Sequence, residues 1–317
     1  MKCLVTGAAG FIGSSLAEKL IDQGHQVLGV DCFTDYYPRN IKEQNLENLL
    51  NKNNFAFQEK DLCVVDLREL LSEIEVVFHQ AAQAGVRTSW GSNFEVYLRN
   101  NIEATQKLLE ACKEKPLKKL IFASSSSVYG DNQDVPMREE SYPRPISPYG
   151  VTKSASEELG YLYFKSYGVP VISLRYFTVY GPRQRPDMAF HKFIKALLTG
   201  EEIAVFGDGK QTRDFTYISD IVDANISAME SNFAGTVFNI GGGSRISLIE
   251  AIRLLEEITG KKANLKYSRK SRGDMKDTAA DISQAQKHLN YKPKFSLKEG
   301  LKNEVEWVKN NLGLLSS

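Results

Sequence analysis

Cysteine and histidine are scarce in this sequence, and neither is clustered. The four cysteines, Cys3, Cys32, Cys63 and Cys112, show no CxxC spacing. That excludes a disulfide framework and a cysteine zinc site, and predicts reduced thiols in a cytoplasmic protein. The four histidines, His25, His79, His191 and His288, lack ligand spacing, so no metal is expected. Excess charge of either sign is missing too. Forty Lys and Arg face 39 Asp and Glu, a formal net charge of +1. Such balance gives no support for nucleic-acid or membrane binding as the main activity. No apolar run approaches the roughly 18 residues needed to cross a bilayer. The N-terminal MKCLVTGAAGFIG reads as a strand and a glycine turn rather than a signal sequence.

What is present is an ordinary globular composition, 42% hydrophobic and 25% charged over 317 residues, enough for one large domain or two smaller ones. Short apolar runs at 2–6, 25–30, 55–58, 76–79, 119–124 and 170–177 predict buried strands. Helical patterns lie between most of them, at 11–23, 93–115 and 149–167. Near-continuous apolar strands alternating with helices predict an α/β fold: a Rossmann-type, doubly wound parallel sheet covered on both faces. The second half has shorter strands, more basic loops and a helix near 297–312. It predicts a smaller C-terminal α/β substrate-binding domain at the strand C-terminal edge, where ligands bind in such sheets. The expected division is 1–177 with a returning segment near 213–240, against 178–212 with 241–317.

VTGAAGFIG places Gly7, Gly10 and Gly13 three apart, between the first strand and first helix. Glycines there allow a tight turn and close approach of backbone to a pyrophosphate, which the helix N-terminus faces. Phe11 and Ile12 lie inside the same loop. Asp31 ends the second strand, eighteen residues past Gly13. A carboxylate there accepts from both adenosine ribose hydroxyls and repels a 2′-phosphate, which favours NAD over NADP. Asp61 and Leu62 follow the third strand, within reach of an adenine. Ala81 and Ala82, after the fourth, let backbone pass close to a dinucleotide, though small residues serve packing equally well. Asn100 and Tyr176 complete the cofactor candidates.

The run FASSSSVYG closes the fifth strand, so Ser124 to Ser127 reach the crevice. A polar turn explains them as well, taken alone. SPYGVTK puts Tyr149 and Lys153 one helical turn apart, on one face. A cation beside a phenol favours the phenolate and lowers its pKa from about 10 toward neutrality. That pair makes either a general base or a shielded surface contact. A dinucleotide crevice, a hydroxyl cluster and a Tyr–Lys pair converge on the first.

The set TGxxGxxG, SSSSVYG, YGVTK, RYFTVYGPRQRPDM and TRDFTYISD, in this order over essentially the whole chain, resembles the extended short-chain dehydrogenase/reductase family. It is similar to the nucleotide-sugar epimerases, and most closely to those acting at C4 of UDP-glucuronate. The resemblance implies Ser125 as catalytic hydroxyl, Tyr149 as base, and Lys153 orienting the nicotinamide ribose while lowering the tyrosine pKa. It also implies transient oxidation of the sugar at C4 by a retained NAD. Dehydratases of the family carry an acidic pair before VYG, and decarboxylases a Glu at the second position; here stand Ser126 and Ser127. Epimerisation needs no such carboxylate. Thr178 after RYF, and AGVRTSW at 84–90, resemble the acid-sugar epimerases.

Candidate ligands of a sugar carboxylate are Ser126, Ser127, Thr178 and Arg185, with Arg87. Arginine's planar fork suits a diphosphate equally, and Arg183, Arg185 and Arg87 stay unassigned between the two. Phe190, Phe206, Gln211 and Arg213 are the uridine-diphosphate candidates, the aromatics serving equally as core. SRGDMKDTAAD at 271–281 resembles the later nucleotide-binding segment, with Arg272 where acid-sugar epimerases carry Pro. Rival readings are a UDP-glucose/galactose 4-epimerase, a UDP-glucuronate decarboxylase, and a non-catalytic NAD sensor. Helices at 92–114 and 149–167 carry leftover apolar positions, Tyr97, Leu98, Ile102, Leu159, Leu162 and Tyr163. In the family such helices pair between subunits, which implies a homodimer.

Overall fold

Strands with no polar break cannot leave either face in water, so they pair side by side and take helices above and below. The computed structural model describes residues 1–131, 134–269 and 272–315. In chain order it runs β1 (Lys2–Thr6), α1 (Phe11–Asp22), β2 (Gln26–Asp31), α2 (Arg39–Leu50), β3 (Phe55–Glu59), α3 (Leu67–Leu70) and β4 (Val76–His79). A helical rod follows, made of α4 (Phe94–Tyr97), a π-helical turn (Leu98–Glu103) and α5 (Ala104–Cys112). Then come β5 (Lys119–Ser125), α6 (Pro148–Tyr167) and β6 (Val171–Tyr176).

These strands and β10 (Thr236–Ile240) form one parallel seven-stranded sheet in the order β10-β6-β5-β4-β1-β2-β3. The chain turns back on itself between β1 and β4, the switch point where such sheets open a crevice. Thr6 pairs with His79, and Ser125 with Tyr176, so four strand ends meet at one edge.

The second half contributes β7 (Thr178–Tyr180), α7 (Ala189–Thr199), β8 (Glu202–Phe206), β9 (Thr212–Tyr217), α8 (Ile218–Glu230), β11 (Ser244–Ser247), α9 (Leu248–Thr259), β12 (Asn264–Ser268), α10 (Ser283–Leu289) and α11 (Leu297–Leu315). Two small sheets result, β11-β9-β7 and β12-β8. Within 213–240, β9 lies in the first of these, while α8 and β10 return to the large sheet. One continuous apolar core joins α1 and the large sheet to α7, α9 and α11.

Local chemistry sets the start of α6. The Ser147 hydroxyl accepts from the Gly150 N–H at 3.1 Å, Pro148 occupies the first turn, and Gly168 ends the helix at φ 73°. Tyr149 therefore lies in the first turn, at the cleft. The single helix predicted over 93–115 is interrupted by the π turn, which seats Asn101 between strand and helix. Its amide bonds Gln83 N at 2.7 Å, Gln83 O at 3.1 Å and Thr152 Oγ1 at 2.9 Å. Two of the six leftover apolar positions prove to be buried within the chain. Tyr97 donates its hydroxyl to the Ala84 and Gly85 carbonyls, and Tyr163 packs in the core over α5. Leu98 and Leu162 stay exposed.

Gly300 lets α11 lie directly on Tyr180. A Cβ added there would stand 2.3 Å from the tyrosine hydroxyl and 2.7 Å from its ring. That ring is fixed among Phe190, Phe215 and Tyr217. Gly300→Ala gains about 0.8–1.0 kcal/mol of helix propensity and loses about 1–3 kcal/mol to overpacking. A net destabilisation of up to about 2 kcal/mol is expected in urea unfolding.

Candidate active site

The glycine loop is shaped by contacts that no side chain would survive. Gly7 adopts φ +71°, and a Cβ there would come 2.8 Å from Ala81 N; at Gly13 it would come 2.1 Å from the Gly7 carbonyl oxygen. The loop thus presses α1 against β1 and β4, leaving Gly7, Gly10, Phe11, Ile12 and Gly13 on the wall of a long cleft. Asp31 faces it from the end of β2, its carboxylate accepting from Phe33 N at 2.8 Å and Ala9 N at 3.2 Å. Burial raises the Asp31 pKa, against the pull of those N–H groups and the Lys42 ammonium.

Asp61, Leu62, Ala81, Ala82 and Asn100 line the same cleft, as do Tyr149, Lys153 and Tyr176 at its inner end. Asp61 is held by Arg99 at 2.6 Å. The Tyr176 hydroxyl is fixed by Gln80 and Asn225. Every cofactor candidate is thereby brought together. The cleft also takes Thr34, Tyr36, Tyr37 and Lys42, which sequence reasoning missed. FTDYY directly follows Asp31, and that position beyond a strand end was the available signal. Lys42 sits on α2, an element the strand–helix pattern did not yield.

Three successive residues of β5 meet α6. The Ala123 carbonyl accepts from Lys153 Nζ at 2.7 Å. Ser124 Oγ donates to Glu157. Ser125 hydrogen-bonds Tyr149, and its Oγ accepts from Ser127 N at 3.1 Å. Lys153 stands over the Phe122 ring, 4.9 Å from its centroid. Burial lowers its pKa to about 7, opposed by Glu157.

One expectation is reversed here. Burial raises the Tyr149 pKa above its ordinary value; the Ser125 hydrogen bond and the Arg185 charge pull it down, and Lys153 is not among the groups that do. The Lys153 ammonium is aimed at Ala123, and desolvation of the phenol outweighs what remains.

On the substrate side, Ser126 and Ser127 are buried beside Ser125, and Thr178 is half-buried at the start of β7. Arg185 reaches the cleft but is already gripped by Asp187 at 2.9 and 3.0 Å, with Tyr36 donating to the same carboxylate. Arg87 lies over the Phe206 ring at 4.1 Å and pairs with Asp274 at 2.7 Å. Arg213 donates to the Thr212 and Lys276 carbonyls, and Gln211 to Phe206 O. Arg183 is taken by Glu18.

Phe190 is a correction. It is 1% exposed, stacked on Phe215 at 4.4 Å and edge-on to Tyr180, so both faces are spent in the core and no uracil can reach it. The segment 271–281 brings Asp274, Lys276 and Asp277 beside Arg87 and Arg213; its first residue, Ser271, lies outside the described residues. Among the described residues no cluster could hold a metal ion. His79 is tied between Thr6 and Thr105, and burial pushes its pKa down to about 3.

Comparison with known proteins places this geometry. Residues 3–241 match the model of the NAD dependent epimerase/dehydratase family. The chain is 48% identical over 310 residues to a Bacillus subtilis (strain 168) protein described as an uncharacterized UDP-glucose epimerase, YtcB, covering 97% of this chain and 98% of that one. It is 43% identical over 319 residues to the UDP-glucuronate 4-epimerase of Thermodesulfobacterium geofontis (strain OPF15), covering 99% and 98%. The crystal structure of UDP-glucuronic acid 4-epimerase from Bacillus cereus with UDP-glucuronic acid and NAD superposes with a TM-score of 0.96 at 47% identity, covering 98% and 99%. With the family model spanning most of its length and relatives matching it end to end, this chain belongs to the NAD dependent epimerase/dehydratase family.

Proposed function

We propose that this cleft carries out NAD-dependent epimerisation at C4 of a UDP-sugar, converting UDP-glucuronate to UDP-galacturonate. The observation that carries the reading is the meeting of Ser125, Tyr149 and Lys153 with a dinucleotide cleft at one sheet edge. The residues present fit NAD. The glycine cradle has no room for a Cβ at Gly7 or Gly13, and the Asp31 carboxylate is oriented by two backbone N–H groups at the ribose end. Bound NAD supplies the redox chemistry, accepting hydride from the sugar C4 and giving it back.

The chain's own groups do the rest. Tyr149, with Ser125 hydrogen-bonded to it, takes the proton of the sugar 4-hydroxyl and later returns it. Lys153, in its ammonium form, orients the nicotinamide ribose from the inner end of the cleft. Arg213, and Arg87 over Phe206, hold the diphosphate end, so that binding energy remote from the reacting carbon anchors UDP while the sugar turns.

A 4-keto glucuronate is a β-keto acid, which loses carbon dioxide when its C5–carboxylate bond aligns with the carbonyl π system. Ser126, Ser127 and Thr178 supply hydroxyls, and Arg185 a charge, to hold that bond out of alignment. A UDP-glucose 4-epimerase is the second reading. It is favoured by the Arg185–Asp187 pair, which neutralises the cation intended for a carboxylate. Exposed Val96, Leu98, Val151, Leu162 and Tyr167 on α4, the π turn and α6 support a homodimer through these helices. A reduced cytoplasmic setting suits the free cysteines.

Incubation with UDP-glucuronate and with UDP-glucose, followed by anomeric proton NMR, is expected to show turnover of the first. Tyr149→Phe should lower kcat by about 10²–10⁴-fold with NAD retained. Selective turnover of UDP-glucose would favour the second reading, and inertness toward both with NAD bound would indicate a sensor.

Losing one hydrogen bond to a carboxylate costs about 1.5–3 kcal/mol. Thr178→Ala should therefore raise carbon dioxide and UDP-pentose release per epimerisation roughly tenfold or more; an unchanged partition removes Thr178 from the clamp. Leu162→Glu should shift the sedimentation coefficient from dimer to monomer, and a wild-type species already monomeric at micromolar concentration refutes the interface.

A further inference from the structure

Glu157 has no place in the reaction as described, yet it is the most deeply committed carboxylate near it. It lies on α6 one turn beyond Lys153, on the same face, 6% exposed. Its Oε1 accepts from Ser124 Oγ and from Arg175 Nε at 2.9 Å, and its Oε2 from Arg175 Nη2 at 2.7 Å. Arg175, on β6, is directly opposite Ser124 in the sheet register. It continues through Nη1 to the Tyr129 hydroxyl at 2.8 Å, which donates to Asn239 on β10 at 2.7 Å. A satisfied polar network thus runs under the cleft floor, from the helix that carries Tyr149 and Lys153 to the edge strand of the sheet.

The arrangement of β5 against α6 gives the network its meaning. Ala123 holds Lys153, Ser124 holds Glu157, and Ser125 holds Tyr149. The middle contact fixes the register of the two outer ones. We propose that Glu157 is a positioning residue for the redox step. Clamped to Arg175 and Ser124, its carboxylate pins the end of β5 to α6 and supplies a negative charge one helical turn from the buried Lys153 ammonium.

The charged and titratable groups around Lys153 are few. From α6 itself come Tyr149 and Glu157. His79 on β4 is held neutral. From β5 come the Phe122 ring face and the Ala123 carbonyl. On β6, Arg175 is consumed by Glu157. Arg185, from the loop after β7, bears on Tyr149. Glu157 is the one group in this set that raises the Lys153 pKa against burial. Even with that help the Lys153 pKa has fallen to about 7, so the side chain is only partly charged at neutral pH. Activity that needs the ammonium is lost as pH rises through that pKa. Removing the Glu157 charge lowers the pKa and moves the loss toward acid.

The proposal rests on Lys153 serving the proposed reaction, and the test separates the two. Glu157→Gln, Glu157→Gln combined with Arg175→Met, and Glu157→Asp are compared with wild type. The readouts are the pH profile of kcat in the NAD-loaded enzyme and the titration of the Lys153 side chain by lysine ¹³Cε NMR, assigned with Lys153→Met. The double variant leaves no unpaired buried guanidinium, so it keeps the fold where Glu157→Gln alone does not. Its Lys153 is expected to titrate about one pH unit lower, with the alkaline limb of kcat following, and Glu157→Asp should restore most of both. A Lys153 titration in the double variant that matches wild type overturns the proposal, whatever sugar the enzyme turns over. Ser124→Ala supplies an independent arm. It should lower kcat several-fold with KM unchanged, and a wild-type kcat there also overturns the proposal.

Discussion

Taking an ammonium and a phenol out of water beside one another is the constraint to which the rest of this structure answers. Burial works against Lys153 holding its charge, and equally against Tyr149 giving up its proton. A site of this kind works only if fixed dipoles and charges replace the lost water. The chain places a carbonyl of β5, a ring face and an ion-paired carboxylate under Lys153, and a serine hydroxyl and a distant guanidinium around Tyr149. Each arises from a different element, so the site demands a sheet whose strand ends are held in register.

That demand explains how polar the interior is. Thr6, His79 and Thr105 form one buried relay, and Asn101 bolts the β4 loop to α6. Such groups cost free energy unless every donor and acceptor is met. They sit where strand ends must not slide, while the apolar core beneath supplies non-directional stability.

The large sheet was readable because its strands are short apolar runs bounded by turns, and the residues that share the cleft wall because glycines, Asp31 and the Tyr–Lys pair each sit at a strand end or helix start. What could not be read was pairing. Arg185 and Asp187 are two residues apart, and Arg87 and Asp274 are far apart, but nothing in either spacing says that each arginine is already engaged. Phe190 looked like a base-stacking ring because sequence does not show which side of α7 faces the core. The rise in the Tyr149 pKa was hidden for a related reason: its spacing from Lys153 is local, but the desolvation that outweighs any such help is set by the whole cleft. The π turn that seats Asn101 is a departure of one residue from a pattern that otherwise reads as plain helix.

The route of the chain has an evolutionary corollary. After β6 it passes to a small sheet, to a second one, back to the first, home to the large sheet through α8 and β10, and out again to β11. No single cut separates the large sheet from the two small ones. Exchanging the small sheets between two such chains would require several junctions made together, whereas substitutions in place leave this route intact.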